Sequence, residues 1–360
     1  MSAHRIDALD TLRGIALFGV LTVNLITAFR VSIFTQFLPP ETSASMLDGL
    51  VAAFVRHGLE MKAFAIFSLL FGVGLGIQHQ QLSKRKSPLY WLTRRMLVLL
   101  GFGLLHLLLL WNGDILVAYS LAGLLVLPLL AARSAVLLVA SALMFALYLY
   151  GLPVAWPEAS WLQQHVAMAN HIYANGTYAQ IVRFGIGEIP YLIPLHAAVF
   201  PRTLALFLLG AWVWRSGVLA DIGAHRRLLL SVGGIGLLGG GALAVAGFAN
   251  AASILLALGF AAAVVACNSP ILRVFAPAGR MAFSNYIAQS VVLSLVFFGY
   301  GLGQFGQHGP AAAFAFGVLL FALQSVLSAF WLRHFRFGPL EWLWRTLMYG
   351  RIPEAPAGDT

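Results

Sequence analysis

The sequence predicts an all-α polytopic membrane protein of about ten transmembrane helices, with cytoplasmic N- and C-termini. Hydrophobic residues make up 60% of the chain, charged residues only 9%, and the mean hydropathy is +0.87. A chain this apolar cannot form a water-facing surface, and apolar spans near 20 residues indicate helices that cross a bilayer. In order, the predicted spans are 12–29, 63–78, 96–111, 115–132, 135–152, 203–214, 228–248, 251–267, 281–299 and 311–332.

The distribution of basic residues predicts the orientation. With the N-terminus inside, 17 of the 22 Lys and Arg residues fall on the cytoplasmic side. Such an excess marks cytoplasmic loops, so we attribute the net charge of +10 to topology and anionic lipid headgroups rather than to nucleic acid. We expect a multi-pass protein of the bacterial cytoplasmic (inner) membrane. The basic residues predicted outside are Arg30, Arg56, Lys62, Arg183 and Arg202.

No small-residue pattern typical of signal-peptide cleavage follows the first span, so we interpret this span as an uncleaved first helix. A single cysteine, Cys267, suggests neither a disulfide nor a zinc site, and we expect no metal. Residues 1–335 are predicted to form the transmembrane domain, with 153–202 as an outward-facing loop or a cap that could consist of short interfacial helices. The span 203–214 is short and could extend upward as a broken helix. Residues 336–360 are predicted to form a cytoplasmic interfacial helix and tail.

The third and fourth spans form a hairpin that carries the leading candidates for function. His106 lies inside the third span, and Asp114 lies at the turn before the fourth. Ionisable residues are costly in lipid, so both point to function. Asp114 could instead only cap the fourth helix. A straight helix would separate the two residues by about 12 Å, so their contact requires the turn to fold back.

Other polar residues could share a cavity with this pair. Asn24 and His106 both fall in the outer half of the membrane. Asn285 and Gln289 share one face of the ninth helix nearer its inner half, where interhelical hydrogen bonding is the alternative role. Lys62 could contribute to this cavity, or its side chain could simply extend to the outer membrane-water interface. The predicted substrate-binding residues are His57, Lys62, Trp111, Asn112, Tyr119, Asn285 and Gln289.

Five stretches, in order, resemble a known family. They are DALDTLRGIALFGVLTVN, KAFAIFSLLFGVG, LLHLLLLWNGDILVAYSLAGLL, GRMAFSNYIAQSVV and WLRHFRFGPLEWLWR. Together they resemble the bacterial YeiB-like membrane proteins, which carry domain of unknown function 418. The resemblance spans nearly the whole chain, with residues 135–200 contributing no motif. It implies a membrane protein loosely associated with transport.

The first span is also distantly similar to that of the transmembrane acyltransferases, such as heparan-alpha-glucosaminide N-acetyltransferase. That similarity implies acyl transfer from cytosolic acyl-CoA to an acceptor across the membrane, with Asn24 at the position of their active-site asparagine. Their catalytic histidine precedes the second span. This chain has His57 there, within a motif that does not match.

The leading hypothesis is therefore a membrane-embedded acyltransferase that moves an acyl group from acyl-CoA to an extracytoplasmic or lipid-linked acceptor. His106 would be the base, Asp114 would orient it, and Asn24 would donate to the acyl oxygen. Inner-face arginines could hold the CoA phosphates, and lipid headgroups are their alternative partners. The residues assigned to CoA are Arg13, Arg94 and Arg95.

Two other hypotheses stay open. The first is a transporter of a small or amphipathic solute, because five plus five helices would give halves of opposite orientation. The second is a non-catalytic scaffold in which His106 and Asp114 only pack and cap. The sequence leaves the acceptor, the acyl length and a homodimer open.

Overall fold

The computed structural model describes residues 7–39, 45–83 and 85–350. Within these ranges the regular secondary structure is entirely helical, as the sequence predicts. Short π-helical and 3-10 turns extend several of the helices. The α-helices are α1 Asp7–Asn24, α2 Met46–Phe54, α3 Lys62–Leu82, α4 Pro88–Leu109, α5 Leu116–Val126, α6 Ser134–Tyr150, α7 Ala159–Asn175, α8 Tyr178–Arg215, α9 Arg226–Val245, α10 Ala249–Cys267, α11 Ala276–Arg280, α12 Ala282–Phe297, α13 Pro310–His334 and α14 Pro339–Tyr349.

Seven helical segments of the described chain are long and apolar enough to cross a membrane. Three shorter apolar helices accompany them, and each of the ten predicted spans overlaps one of these segments. The chain is therefore a multi-pass helical membrane protein. The seven are Asp7–Phe29, Met46–Leu82, Pro88–Leu109, Tyr178–Arg215, Arg226–Val245, Ala249–Cys267 and Pro310–His334; the three shorter ones are Leu116–Ala131, Ser134–Tyr150 and Ala282–Phe297.

The helix α1 lies at the centre of the bundle, where it packs against α3, α10, α11, α12 and α13. Glycines allow close approach elsewhere. A Cβ built on Gly72 of α3 would lie 2.2 Å from the Phe207 carbonyl oxygen of α8. One on Gly210 of α8 would lie 2.2 Å from the Leu69 carbonyl oxygen of α3. Small residues thus let these two backbones touch, the packing expected between helices in lipid.

The predicted structure of residues 153–202 is wrong in part. Instead of several short helices, the region contains the 17-residue α7 and the first part of α8, which has 38 residues. The predicted start at Thr203 lies deep inside α8. The helix begins after Thr177, whose side chain forms a capping box with Gln180. The helix continues through three internal prolines, because neighbouring helices let prolines stay inside membrane helices.

The helix α14 begins at Gly338-Pro339, as the sequence predicts, and packs on α4 and α12. The Arg95 guanidinium lies 3.7 Å from the centroid of the Trp344 ring. The Glu341 carboxylate accepts hydrogen bonds from the backbone N–H groups of Phe283 and Ser284. The C-terminal helix therefore holds the first turn of α12 in place through hydrogen bonds. The predicted tail beyond it, residues 351–360, lies outside the described residues.

Candidate functional site

The turn between α4 and α5 folds back, so that His106 and Asp114 meet. The Trp111 N–H donates to the His106 carbonyl oxygen at 3.0 Å, which closes the end of α4 and reverses the chain. His106 Nδ1 then lies 2.8 Å from Asp114 Oδ1. The second oxygen, Asp114 Oδ2, accepts a 2.7 Å hydrogen bond from the Val117 N–H in the first turn of α5. Asp114 thus both contacts the imidazole and caps the next helix.

A serine that sequence reasoning missed completes the arrangement. His106 Nε2 lies 2.8 Å from the Oγ of Ser290, on α12. The three residues form a buried Ser-His-Asp array, with Ser290 3%, His106 2% and Asp114 2% exposed. Serines are common in membrane helices as packing residues, so Ser290 has no local feature that ranks it above its neighbours. Only the tertiary fold brings it to His106, which lies 184 positions away in the chain.

The direction of the two hydrogen bonds follows from the protonation of Asp114 and His106. When Asp114 is a carboxylate it can only accept, so His106 Nδ1 carries a hydrogen, and in the neutral imidazole Nε2 then offers a lone pair. Ser290 Oγ–H then has two acceptors, Nε2 at 2.8 Å and the Tyr286 carbonyl oxygen at 3.4 Å, and the shorter contact favours donation to Nε2. This is the arrangement in which an imidazole takes the proton of a serine hydroxyl that attacks a carbonyl carbon. The aromatic rings of Tyr286 and Trp111 lie 5.2 and 6.5 Å from the imidazole centroid.

A second carboxylate-histidine pair lies on the other side of the turn, and sequence reasoning did not rank its members as site residues. Glu188 of α8 is only 1% exposed. Its carboxylate accepts from Asn112 Nδ2 at 2.7 Å, from the Tyr173 hydroxyl at 2.5 Å and from His165 Nε2 at 2.7 Å. Asn112 thus links this cluster to the hairpin that carries His106.

The environment of this second cluster keeps its donors in place. Burial, reinforced by the neighbouring carboxylate, raises the pKa of Tyr173 well above its usual value, so the phenol stays a donor. The His165 ring stacks on Trp161 at 4.4 Å and on Phe184 at 5.4 Å. Of this cluster the sequence predicted only Asn112 as a site residue, while His165 and Glu188 lay in a segment predicted to be outside the membrane.

An open cavity of about 580 Å³ lies beside the Glu188 cluster, between α7 and α8. It is lined by polar and charged side chains together with a few apolar groups. The lining residues are His165, His171, Ile172, Asn175, Gly176, Gln180, Arg183, Phe184, Gly187 and Glu188.

Among the described residues, no hydrogen bond connects the other predicted outer residues to the triad of Ser290, His106 and Asp114. Asn24 is buried at the end of α1, where a π-helical turn, Leu25–Phe29, begins. His57 lies in a second π-helical turn, Val55–Leu59, and Lys62 is the first residue of α3. Such turns are frequent at functional sites. The predicted residue Tyr119 is also held elsewhere, because its hydroxyl lies 2.7 Å from the Ser68 hydroxyl of α3.

A buried cation also lies near the start of α3. The Arg202 side chain of α8 is buried and donates to the Met61 carbonyl oxygen at 3.3 Å. Met61 itself has a φ of 64°, a conformation that costs a non-glycine residue energy. Sequence reasoning assigned Arg202 no role beyond a place outside the membrane.

The predicted polar residues of the ninth span face α13. Gln289 Nε2 donates to Gln324 Oε1 at 2.9 Å, and Gln324 Nε2 donates to the Asn285 carbonyl oxygen at 3.2 Å. Asn285 Nδ2 in turn donates to Ser328 Oγ at 2.9 Å. These side chains form the interhelical hydrogen bonds that were the alternative to a ligand role.

Each of the three arginines assigned to CoA has a partner within the chain. Arg13 pairs with Asp10 at 2.8 Å. Arg94 Nε donates to the Leu347 carbonyl oxygen at 3.1 Å, and Arg95 stacks on Trp344. Arg94 and Arg95 therefore hold α14 against α4.

Comparison with known proteins identifies the family. The chain is 31% identical to "Uncharacterized protein YxaH" of Bacillus subtilis (strain 168), over 97% of this chain and 95% of that one. The chain belongs to the DUF418 family. "Uncharacterized protein YeiB" of Escherichia coli (strain K12) is 30% identical over 94% of this chain and 95% of its own length. "Uncharacterized 39.9 kDa protein in amylase 3'region" of Bacillus acidopullulyticus is 25% identical over 97% and 95%.

The DUF418 model, described as "Protein of unknown function (DUF418)", matches residues 213–351. The matched region runs from the end of α8 through α14, and it contains Ser290 and the Glu341 contact with α12. His106 and Asp114 lie outside it. The YeiB-like family predicted from the sequence motifs is thus confirmed. No activity follows from these relatives, because their names describe them as uncharacterised.

Proposed function

We propose that this DUF418 protein is a membrane-embedded acyltransferase in which Ser290 is the nucleophile, His106 the general base and Asp114 the residue that orients the imidazole. The observation that carries the proposal is the hydrogen-bonded array of Ser290 Oγ, His106 Nε2 and Asp114, with both distances at the imidazole 2.8 Å. Interhelical contact alone would need one donor and one acceptor. A serine, an imidazole and a carboxylate in series provide a route for a proton.

The proposed reaction has two halves. His106 takes the Ser290 proton as Oγ attacks the thioester carbonyl of acyl-CoA, and the imidazolium then protonates the departing thiolate. An acceptor hydroxyl or amine gives its proton to His106 as it attacks the acyl-serine, and Ser290 regains a proton as the product leaves. The distant similarity of the first span to the transmembrane acyltransferases adds Asn24 as a donor to the acyl oxygen.

The proposed donor site lies on the inner face, where Arg13, Arg94 and Arg95 would bind the phosphates of acyl-CoA. Binding would require Arg94 and Arg95 to exchange their present contacts with α14 for phosphate oxygens. CoA should therefore raise the melting temperature of the purified protein, and Arg94→Gln should weaken that effect. Stabilisation by CoA that is the same in the variant would remove Arg94 from the donor site.

The proposal includes ten membrane crossings with both termini in the cytoplasm of a bacterial cell and the protein in its inner membrane. Contacts between helix ends support it. Arg30 donates to the His308 carbonyl oxygen, and both residues belong to the predicted outer side. Trp214 Nε1 donates to Gln80 Oε1, and both belong to the predicted inner side. The excess of Lys and Arg on the inner side points the same way.

A second candidate, a proton-coupled transporter, is favoured by a different observation. The triad is almost fully buried, and beside it the buried Gln289 side chain of α12 donates to that of Gln324 on α13, which donates in turn to the Asn285 backbone carbonyl oxygen. Buried ionisable and amide side chains of this kind also line proton pathways in transporters. In that case His106 would exchange a proton with a passing solute without an acyl-enzyme.

A serine pair in α12 provides a matched test. Ser290 and Ser294 are one helical turn apart and both are buried, but Ser294 Oγ donates to the Val291 carbonyl oxygen instead of approaching His106. We expect Ser290→Ala to abolish CoA release from acetyl-CoA or palmitoyl-CoA by the purified protein, and Ser294→Ala to preserve it.

Equal release by both variants would refute the acyl-enzyme mechanism. Solute counterflow in liposomes that depends on His106, without thioester cleavage, would favour the transporter.

A further inference from the structure

The cavity between α7 and α8 is lined by several side chains that can donate hydrogen bonds, among them Gln180, Arg183 and His171. Glu188 already accepts from three donors, the side chains of Asn112, Tyr173 and His165. Its carboxylate oxygens are therefore largely engaged within the protein. Gln180 Oε1 accepts from the N–H and hydroxyl of Thr177, which leaves its NH₂ group to face a ligand.

A cation without a protein partner lies at the same cavity. Among the described residues, Arg183 forms no hydrogen bond or ion pair. It is also one of the few basic residues on the predicted outer side, where arginine is disfavoured. Two others on that side are engaged, because Arg30 donates to His308 and Arg202 donates to Met61. Arg183 is thus available to a ligand.

We propose that this cavity binds a phosphate group, held by the Arg183 guanidinium and the Gln180 amide, with the His171 and His165 rings beside it. Several donors around one opening suit the three oxygens of a phosphate better than the two of a carboxylate. In the proposed reaction the ligand is the acyl acceptor. That assignment rests on the proposed function, whereas the binding itself can be measured without any reaction.

The phosphate could belong to a lipid headgroup or to a soluble phosphorylated molecule. The cavity volume of about 580 Å³ is large enough for either a headgroup or a small sugar phosphate. Both would reach the cavity from the outer side, where the turn that carries Asn112 connects it to the His106 hairpin.

The test uses the full-length protein purified in a phospholipid-free maltoside detergent. One arm titrates glycerol 1-phosphate by calorimetry, and the other adds phosphatidylglycerol and measures the rise in melting temperature. Arg183→Gln removes the cation. Arg227→Gln is the control, because Arg227 is an exposed arginine beyond the opposite end of α8.

We expect Arg183→Gln to weaken binding of the effective probe by about tenfold or more, as for the loss of one charge-assisted contact, and Arg227→Gln to leave it unchanged. An effect confined to glycerol 1-phosphate supports a soluble ligand, and one confined to phosphatidylglycerol supports a headgroup.

If neither probe binds the wild-type protein, or if both bind Arg183→Gln as well as wild type, the phosphate site is refuted. Ser290→Ala should bind the probe normally. Binding that persists in Ser290→Ala while CoA release never occurs in wild type would reject the acyltransferase and keep the site.

Discussion

The two functions of Asp114 can be separated by two substitutions. Asp114→Asn retains an oxygen that can accept from the Val117 N–H, so the cap on α5 survives. Its NH₂ group, however, would face His106 Nδ1 and make that atom an acceptor. The hydrogen then moves to Nε2, which would donate to Ser290 instead of accepting from it. The imidazole could no longer act as a base toward serine.

The structure gives different stability costs for the two variants. Asp114→Asn exchanges a charge-assisted hydrogen bond for a neutral one, a loss of about 1 kcal/mol. Asp114→Ala instead loses the whole hydrogen bond and the cap, and the cap is worth about 1 kcal/mol. In addition it leaves the His106 Nδ1–H buried without a partner, at about 1 to 3 kcal/mol. The alanine variant should therefore lose about 2 to 4 kcal/mol.

Two assays on the same preparations of wild type and both variants test the predicted effects on stability and on activity. Thermal unfolding in detergent should rank wild type and Asp114→Asn close together and Asp114→Ala clearly below them. CoA release from acyl-CoA should fall by about 10³-fold or more in both variants. If Asp114→Asn released CoA at the wild-type rate, the tautomer argument would be wrong. If it were as unstable as Asp114→Ala, the cap would contribute little.

Two further predictions concern the helices that position Ser290. Glu341→Gln should lower the free energy of unfolding by about 1 to 3 kcal/mol, because its carboxylate accepts from the first N–H groups of α12; an unchanged melting temperature would contradict this. Gln289→Leu or Gln324→Leu should each cost about 1 to 3 kcal/mol by stranding the partner amide. The double variant should lose less than the sum of the two, measured by thermal unfolding, and strict additivity would show that the pair is not coupled.

The sequence predicted the apolar helices well because hydropathy and basic flanks are local properties. The α4–α5 hairpin could be recognised from composition alone, and its His106 and Asp114 stood out as ionisable residues in an apolar setting. Their contact depended on the conformation of the turn. Whether a six-residue connection extends or folds back is decided by tertiary packing, which no local pattern records.

Ser290 and Glu188 show where sequence reasoning stopped. A serine in a membrane helix is ordinary until a histidine from another helix reaches it. Glu188 lay in a region predicted as an outward-facing cap or loop, whereas the structure places it within one long helix, α8. Glu188 could have been placed near the hairpin only if the position of α8 along α3 had been known. That position depends on the close contacts of Gly72 and Gly210 between the two helices, which the sequence does not record.

The most direct test of the account is the location of the acyl group on the protein. The purified wild-type protein would be incubated with acyl-CoA in the absence of an acceptor, digested, and examined by mass spectrometry. We predict an acyl adduct on the peptide that carries Ser290, absent from Ser290→Ala and present on the same peptide in Ser294→Ala. CoA release without an adduct at Ser290, or an adduct that persists in Ser290→Ala, would contradict the acyl-serine mechanism.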